Sequence, residues 1–221
     1  GVSRPEVIVK EVNGEQHEPY EQLTVDVEDL HQGTVMEKLG ERGADLKDMV
    51  PDGKGRVRLD YIIPARGLIG FRTEFLTATQ GTGLLYSVFD YYGVVKKGDF
   101  GRRLNGVLIA NGKGKALGYA LFNLQERGRL FIGHGEEVYE GMLIGIHARD
   151  NDLVVNPLKA KQLTNIRAAG TDENIVLSPP IKMSLEQALE FIDEDELVEV
   201  TPGFLRLRKK LRDETERKRA A

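Results

Sequence analysis

Alternation of apolar and polar residues predicts the first regular element of the chain. In QLTVDV, residues 22–27, every second residue is apolar, which is typical of a strand with one buried face. The period becomes helical after Asp29, which forms a capping-box pattern with Gln32, and Gly40 ends the run. The apolar residues expected to share the buried helix face are Leu30, Val35, Met36 and Leu39.

The next segments predict a hairpin, a second helix and a closing strand. ADLKDMV at 44–50 and RVRLDYIIP at 56–64 flank a Pro-Asp-Gly turn, which favours two paired strands. A helical run then ends at Gly81, and LLYSVFDYY at 84–92 has strand composition. The apolar positions at helical spacing are Leu68, Phe71, Phe75 and Leu76. The order βαββαβ predicts a ferredoxin-like domain in which two helices cover one face of an antiparallel sheet.

Beyond about residue 95 the pattern predicts a second, mostly-β domain. Asn111-Gly112 lies between two apolar runs and predicts a hairpin. One helix is expected where Ser184 and Gln187 form a capping box, and the charged residues after 210 also permit a short helix. The fold class is therefore α+β: a ferredoxin-like βαββαβ domain, then a mostly-β domain with one or two short helices and a long basic loop.

Charge is distributed unevenly along a chain that is acidic overall. The formal net charge is -4 over 221 residues, yet residues 201–221 hold eight basic residues against three acidic ones. The acidic turn Asp193-Glu194-Asp195-Glu196 lacks the ligand spacing of a calcium loop, so we expect a solvated turn or a counter-charge for the basic terminus. Cysteine is absent, which excludes disulfides and thiolate metal sites and fits the cytosol.

The stretch NPLKAKQLTNIRAAG at 156–170 carries three positive charges and no negative one. Cationic and amide side chains are suited to phosphate and sugar contacts, so this loop is a candidate RNA-binding segment, with a solvated surface loop as the alternative. The candidate contact residues are Lys159, Lys161, Thr164, Asn165 and Arg167.

A second basic segment lies near the C-terminus. In FLRLRKK, leucine alternates with arginine, which predicts a strand that presents a basic stripe. The candidate RNA-binding residues there are Arg206, Arg208, Lys209 and Lys210. No catalytic, cofactor-binding or metal-binding residue is assigned.

Two other classes of function stay open from the residues alone. A hydrolytic or metal site would use His134, Glu136 and His147, although glycines flank His134 and no metalloprotease spacing is present. A protein-docking module would use the helix at 184–193 or the sheet of the first domain.

Long motifs in the chain resemble the TypA/BipA family of ribosome-binding translational GTPases, which is related to elongation factor G. The resemblance covers nearly the whole chain, and the motifs that carry it are PDGKGRVRLDYIIPARGLIGFRTEF at 51–75, GHGEEVYEG at 133–141, KQLTNIRAAGTDE at 161–173 and LEQALEFIDEDELVEVTP at 185–202.

The resemblance implies three parts: residues 1–15 as the end of a preceding domain, 16–95 as a domain V like that of elongation factor G, and 96–221 as the family's C-terminal domain. It implies a GTP- and Mg²⁺-binding domain outside this chain, so no enzyme activity or cofactor is expected here. It also implies a cytoplasmic, monomeric ribosome-binding factor whose loop at about 151–174 contacts large-subunit rRNA and A-site tRNA. Roles in large-subunit assembly and in growth under stress follow from the same resemblance.

Overall fold

The structure, a computed structural model, describes residues 1–98, 100–101, 103–160 and 176–220. It divides into two compact units: the first is Pro5–Arg102, and the second combines Gly1–Arg4 with Arg103–Ala221. Both units contain helices and β-sheets, antiparallel in the first unit and antiparallel except for the β6–β11 pair in the second, which confirms the α+β class. The division of the chain at residues 15 and 95 stays a prediction. None of the described helices is long and apolar enough to cross a membrane.

The first unit has the ferredoxin-like arrangement. Its four long strands form an antiparallel sheet in the order β5-β2-β4-β3, and β1 pairs with the start of β2. The helix α1 connects β2 to β3, and α2 connects β4 to β5. The elements are β1 (Lys10–Val12), β2 (Glu15–Glu28), α1 (Asp29–Glu41), β3 (Asp45–Pro51), β4 (Arg56–Pro64), a 3-10 turn (Ala65–Leu68), α2 (Phe71–Ala78) and β5 (Leu84–Val94).

The core of this unit lies between the sheet and its two helices. Alternate residues of β2 and β4 meet Val35 and Leu39 from α1 and Phe71 and Phe75 from α2. Burial of these apolar side chains is the main favourable contribution to folding. The structure corrects one detail, because Leu30, which was expected on the buried face, is 72% exposed.

The predicted capping box of α1 is also wrong. The residue that precedes the helix is Glu28, and it makes no side-chain hydrogen bond to the first turn. The end of α2 follows the prediction, since Gly81 has φ of 80° and its N–H donates to the carbonyl of Leu76. A left-handed conformation at this position favours glycine.

The second unit is built on a sheet of the order β11-β6-β10-β13-β12, to which β8 adds by pairing with β10. Strands β7 and β9 form a separate small sheet. The elements are β6 (Val107–Ala110), β7 (Gly114–Lys115), α3 (Gly118–Leu124), β8 (Gly128–Leu130), β9 (Glu137–Val138), β10 (Met142–His147), β11 (Leu153–Val155), α4 (Leu185–Phe191), β12 (Glu196–Val200), β13 (Leu205–Lys209) and α5 (Glu214–Ala220).

Two apolar clusters cover the opposite faces of this sheet. One includes Leu108 and Leu121, and the other includes Ile109, Ala188 and Ile192. Every residue of β6 is buried, since the strand lies between β10 and β11 with a cluster on each face.

The hairpin predicted at Asn111-Gly112 is therefore wrong. The chain leaves β6 without pairing back on it, and the apolar run GYALFNL that follows forms α3. A short apolar run has no periodicity that separates a helix from a strand. The capping box at α4 is confirmed, because the Ser184 hydroxyl accepts from the backbone of Gln187 and the Gln187 side chain accepts from the backbone of Ser184.

We expect Leu59→Ala to destabilise the first unit by about 2 to 5 kcal/mol, because a fully buried leucine leaves a cavity when it is truncated. Leu84→Ala is the matched control, since that leucine is 68% exposed on the same sheet, and it should change stability by less than about 0.5 kcal/mol. Urea unfolding followed by circular dichroism measures both. Equal losses for the two variants would contradict the assigned core.

Candidate nucleic-acid interface

Strand β13 divides its side chains between the core and the opposite face of the sheet. Leu205, Leu207 and Lys209 point toward the apolar cluster that contains Ile109, and Lys209 is only 2% exposed. Arg206 and Arg208 point the other way and are half-buried. The basic stripe expected from the sequence is thus split between two environments.

Arg206 is the cation of β13 that lies on the accessible face without an ion pair among the described residues. Its guanidinium carbon lies 4.5 Å from the ring centroid of Phe204, a cation–π contact that leaves the N–H groups able to donate. Glu199 is its cross-strand neighbour on β12, but the carboxylate of Glu199 accepts from Arg208 and from the hydroxyl of Tyr139. Arg206 therefore keeps hydrogen-bonding capacity for an external anion.

Arg208 is engaged within the protein. Its Nε donates to Glu199 at 2.7 Å, and its terminal nitrogen donates to the carbonyls of Lys209 and Lys210. Burial works against ionisation of Glu199, but hydrogen bonds from Tyr139 and Arg208, together with the Arg208 charge, hold the pKa of that carboxyl below its usual range. Burial and the same carboxylate raise the pKa of Tyr139. The predicted RNA contact of Arg208 would require breaking this set of bonds.

Lys209 lies at the centre of a buried ion cluster. Its ammonium is 2.6 Å from Asp152, 2.8 Å from Asp195 and 2.9 Å from Glu196. Glu196 is fully buried and accepts two hydrogen bonds of 2.9 Å from the guanidinium of Arg103. We call these five residues the buried ion cluster. An ammonium with three carboxylate partners and almost no exposed surface cannot also bind RNA, so the interpretation of Lys209 as a contact residue is corrected.

The pKa shifts agree with this geometry. Burial alone would favour the neutral form of Glu196, but hydrogen bonds and charge from Arg103, with the charge of Lys209, lower the pKa of the carboxyl. Burial would also lower the pKa of Lys209, yet the charge of Glu196 and the hydrogen bonds to all three carboxylates raise it. Both groups are therefore ionised over a wide range of pH.

The acidic turn before β12 has two parts with different roles. The side chain of Asp195 is 63% exposed and reaches Lys209 from the solvent side, whereas Glu196 has no exposed surface. Asp193 lies 3.5 Å from Arg4 at the start of the chain. The expectation of a counter-charge for the basic C-terminal region is confirmed for Lys209, and the expectation of a fully solvated turn is wrong for Glu196.

The beginning of the basic stretch is anchored on the second unit. The carbonyl of Pro157, which is buried, accepts from the backbone N–H of Leu117 at 2.9 Å, and the side chain of Asn156 accepts from the N–H of Leu158 at 2.9 Å. Lys159 follows directly, is exposed, and forms no ion pair with the described residues. Its position at the end of an anchored segment presents its charge to solvent.

Gln125, which has no signal in the sequence, anchors the chain where the described residues resume at 176. Its amide nitrogen donates to the carbonyl of Val176 at 3.1 Å, and its amide oxygen accepts from the N–H of Ser178 at 3.1 Å. A glutamine after a short helix carries no sequence signal for such a role. The remaining predicted contact residues lie outside the described residues: Lys161, Thr164, Asn165 and Arg167.

The arrangement of the histidines does not favour a metal or hydrolytic site. His134 is exposed and its Nδ1 accepts from the backbone N–H of Gly118 at 3.0 Å, whereas His147 is buried against the carbonyl of Asn151. Within the described ranges, no group of three or more His, Asp or Glu side chains is arranged to hold a metal ion. Both histidines therefore have structural hydrogen-bonding roles.

The protein-docking alternative stays a prediction for the first unit. On α4, Ala188 faces the core of its own unit, and Ile192 just beyond the helix does the same, so this helix uses its apolar face internally. Strand β5, in contrast, has exposed apolar side chains: Leu84 is 68% exposed, Tyr86 67% and Val88 45%.

Comparison with known proteins supports the two-part organisation. A family model described as "Elongation factor G C-terminus" matches residues 15–102, and one described as "TypA/BipA C-terminal domain" matches residues 105–214. The first range contains the ferredoxin-like sheet, and the second contains β13 and every residue of the buried ion cluster except Arg103. The chain is thus of the class in which an elongation-factor-G-type C-terminal domain precedes a TypA/BipA C-terminal domain.

Curated relatives extend this match over nearly the whole chain. It is 66% identical over 219 residues to the large ribosomal subunit assembly factor BipA of Salmonella typhimurium and to that of Escherichia coli K12, and 64% identical to that of Haemophilus influenzae. In each case the alignment covers 99% of this chain and 36% of the relative. The chain belongs to the TypA/BipA family and corresponds to the C-terminal part of these relatives. The GTPase domain lies outside that part, as expected from the resemblance.

Glu196→Gln should destabilise the second unit by about 3 to 5 kcal/mol, because it leaves buried cations of the cluster without a full counter-charge. The depressed pKa of Glu196 means that its contribution is present above the unfolded value of about 4.3 and is lost as pH falls through the folded pKa. The raised pKa of Lys209 means that its contribution is present below about 10.4 and is lost as pH rises through the folded pKa.

The stability difference between wild type and Glu196→Gln should therefore be constant from about pH 5 to 10 and shrink at lower pH. Urea unfolding at a series of pH values measures this difference. Glu126→Gln is the control, since Glu126 is exposed in the same unit, and it should have little effect. A Glu196→Gln variant as stable as this control at pH 7 would contradict the account.

Proposed function

We propose that this chain is the ribosome-binding region of a TypA/BipA-type translational GTPase and that it binds RNA through exposed cations of its second unit. The partners in this proposal are large-subunit rRNA and the A-site tRNA, contacted by the basic stretch after Pro157 and by the accessible face of β13. The curated relatives, which are named as large ribosomal subunit assembly factors, support the ribosome as the partner.

The observation that carries the proposal is the sorting of basic residues into neutralised and exposed sets. Lys209 is buried among carboxylates and Arg208 is bonded to Glu199, so neither presents charge outward. Lys159, Arg206 and Lys210 reach the surface and form no ion pair with the described residues. Side chains of this kind suit phosphate groups, which supply most of the affinity in protein–nucleic acid complexes.

The residues proposed to bind RNA are a revised set. Arg208 and Lys209 are left out because of their internal partners, and the others are kept, namely Lys159, Lys161, Thr164, Asn165, Arg167, Arg206 and Lys210.

The proposal extends to a wider role. The protein acts in assembly of the large ribosomal subunit and in growth under stress, in the cytoplasm and as a monomer. GTP and Mg²⁺ bind in a domain outside these residues, and this region positions that domain on the ribosome without chemistry of its own.

The test is the salt dependence of binding between the chain and purified large ribosomal subunits, followed by fluorescence anisotropy from about 50 to 200 mM salt. If five cations contact phosphate, the plot of log affinity against log salt should have a slope of roughly -3.5 to -4.5. Changing Lys159, Lys161 and Arg167 together to Glu should weaken binding and flatten the slope by about 2 to 3.

A matched control changes three exposed cations of the first unit, Lys47, Lys54 and Arg72, to Glu. Both triple variants lower the net charge by the same amount, so a difference between them reports the location of the charges. Binding that is independent of salt, or equal losses in the two variants, would overturn the proposed interface.

A further inference from the structure

A cavity of about 600 Å³ opens in the second unit beside the accessible face of β13. Residues of four segments line it, 131–137, 142–143, 181–183 and 203–207, together with Lys115 of β7. The volume lies within the range of about 300 to 1,000 Å³ found for small-ligand sites.

An exposed aromatic ring lies at this cavity. Phe204 is 62% exposed, in the turn between β12 and β13, and Arg206 lies over its ring. Exposure of a large apolar side chain to water is unfavourable compared with its burial. A phenylalanine next to an arginine is the combination on which single-stranded nucleic acids stack their bases.

The charged groups of the walls favour an anion. The lining has three cations, Lys115, Lys182 and Arg206, and two carboxylates, Glu136 and Glu137, of which Glu137 is the cross-strand partner of Lys115. Lys182 lies 3.2 Å from Glu136, and the same carboxylate oxygen accepts from the N–H of Gly133, so this acid is already bonded. Arg206 and Lys115 form no ion pair within the described ranges. Three cations against two carboxylates give the lining a net positive charge.

The remaining wall is apolar. Phe131, Met183 and Leu205 line the cavity, which gives it the surface of a site for a planar ring in addition to a phosphate. A bare anion would not need the apolar wall, and an apolar peptide would not need the three cations. The combination of ring, apolar wall and cations therefore favours a nucleotide.

We propose that this cavity binds one unstacked nucleotide of single-stranded RNA, with the base on Phe204 and the phosphate on Arg206 and Lys115. The inference rests on the proposed function for the identity of the partner. It adds a stacking contribution that does not depend on salt, because stacking releases no counterions.

The test uses the whole chain and a fluorescein-labelled eight-nucleotide RNA of A and U. Phe204→Ala should weaken binding by about fivefold or more with an unchanged salt slope, since a stacked base contributes at least about this much. Arg206→Ala should weaken binding and also reduce the slope by about one. Phe204→Tyr should bind more tightly than Phe204→Ala, because it keeps the ring.

Phe122→Ala is the control for loss of an exposed aromatic side chain, since Phe122 is 39% exposed on α3 of the same unit and does not line the cavity. It should bind RNA like wild type. Circular dichroism establishes that each variant is folded. With 4-thiouridine in the RNA, the photochemical cross-links should map to peptides that contain residues 131–137 or 203–207.

The outcomes separate this inference from the proposed function. Wild-type affinity in Phe204→Ala, with a loss in the Lys159, Lys161 and Arg167 variant, would reject the cavity and leave the electrostatic interface intact. Absence of RNA binding by the wild-type chain would reject both. Tighter binding of free AMP than of the RNA, or cross-links on intact subunits that join the cavity to a ribosomal protein instead of RNA, would assign the cavity to another ligand.

Discussion

The buried ion cluster is the interaction on which the second unit depends. Lys209 and Glu196 come from adjacent strands, Asp152 comes from the segment before β11, and Arg103 comes from the start of the unit. Four separate segments of the chain are therefore joined by charges, of which Lys209, Glu196 and Arg103 are largely shielded from water while Asp152 is partly exposed. Burying one of these groups alone would be very unfavourable, so the cluster is stable only when all segments are in place.

The same cluster determines which charges remain for a partner. Acidic residues outnumber basic ones over the whole chain, and the acids of the turn before β12 are used within the protein. Glu199 is likewise taken by Arg208. Arg206, on the same strand, is consequently left with an aromatic neighbour and open donors. Local pairing, and not the net charge, explains how an acidic chain can leave cations such as Arg206 partly exposed and unpaired among the described residues.

The sequence predicted the first unit well because its signals are periodic. β2 and β4 alternate over several residues, and only one face of their sheet is covered, so burial follows the pattern directly. In the second unit, β6 is covered on both faces and does not alternate, and for that reason its pairing could not be predicted from the residues around Asn111. The helix α3 gave no periodic signal because a run of seven residues is too short to separate a helix from a strand.

The candidate site was predicted in part. The alternation in FLRLRKK identified β13. It could not show that Lys209 contacts carboxylates, because Asp152 is distant in the sequence and Glu196 belongs to the preceding strand. Gln125 and Phe204 gave no signal, since their roles come from tertiary neighbours. Long-range pairing of this kind is visible only once the sheet is assembled.

A cryo-EM map of this chain bound to the large ribosomal subunit tests the division between buried and exposed cations most directly. The account predicts that the face of β13 carrying Arg206, together with Lys159, lies within hydrogen-bonding distance of RNA phosphates while Lys209 stays inside its cluster. A map in which this face points to solvent, or packs on ribosomal protein alone, would contradict the account.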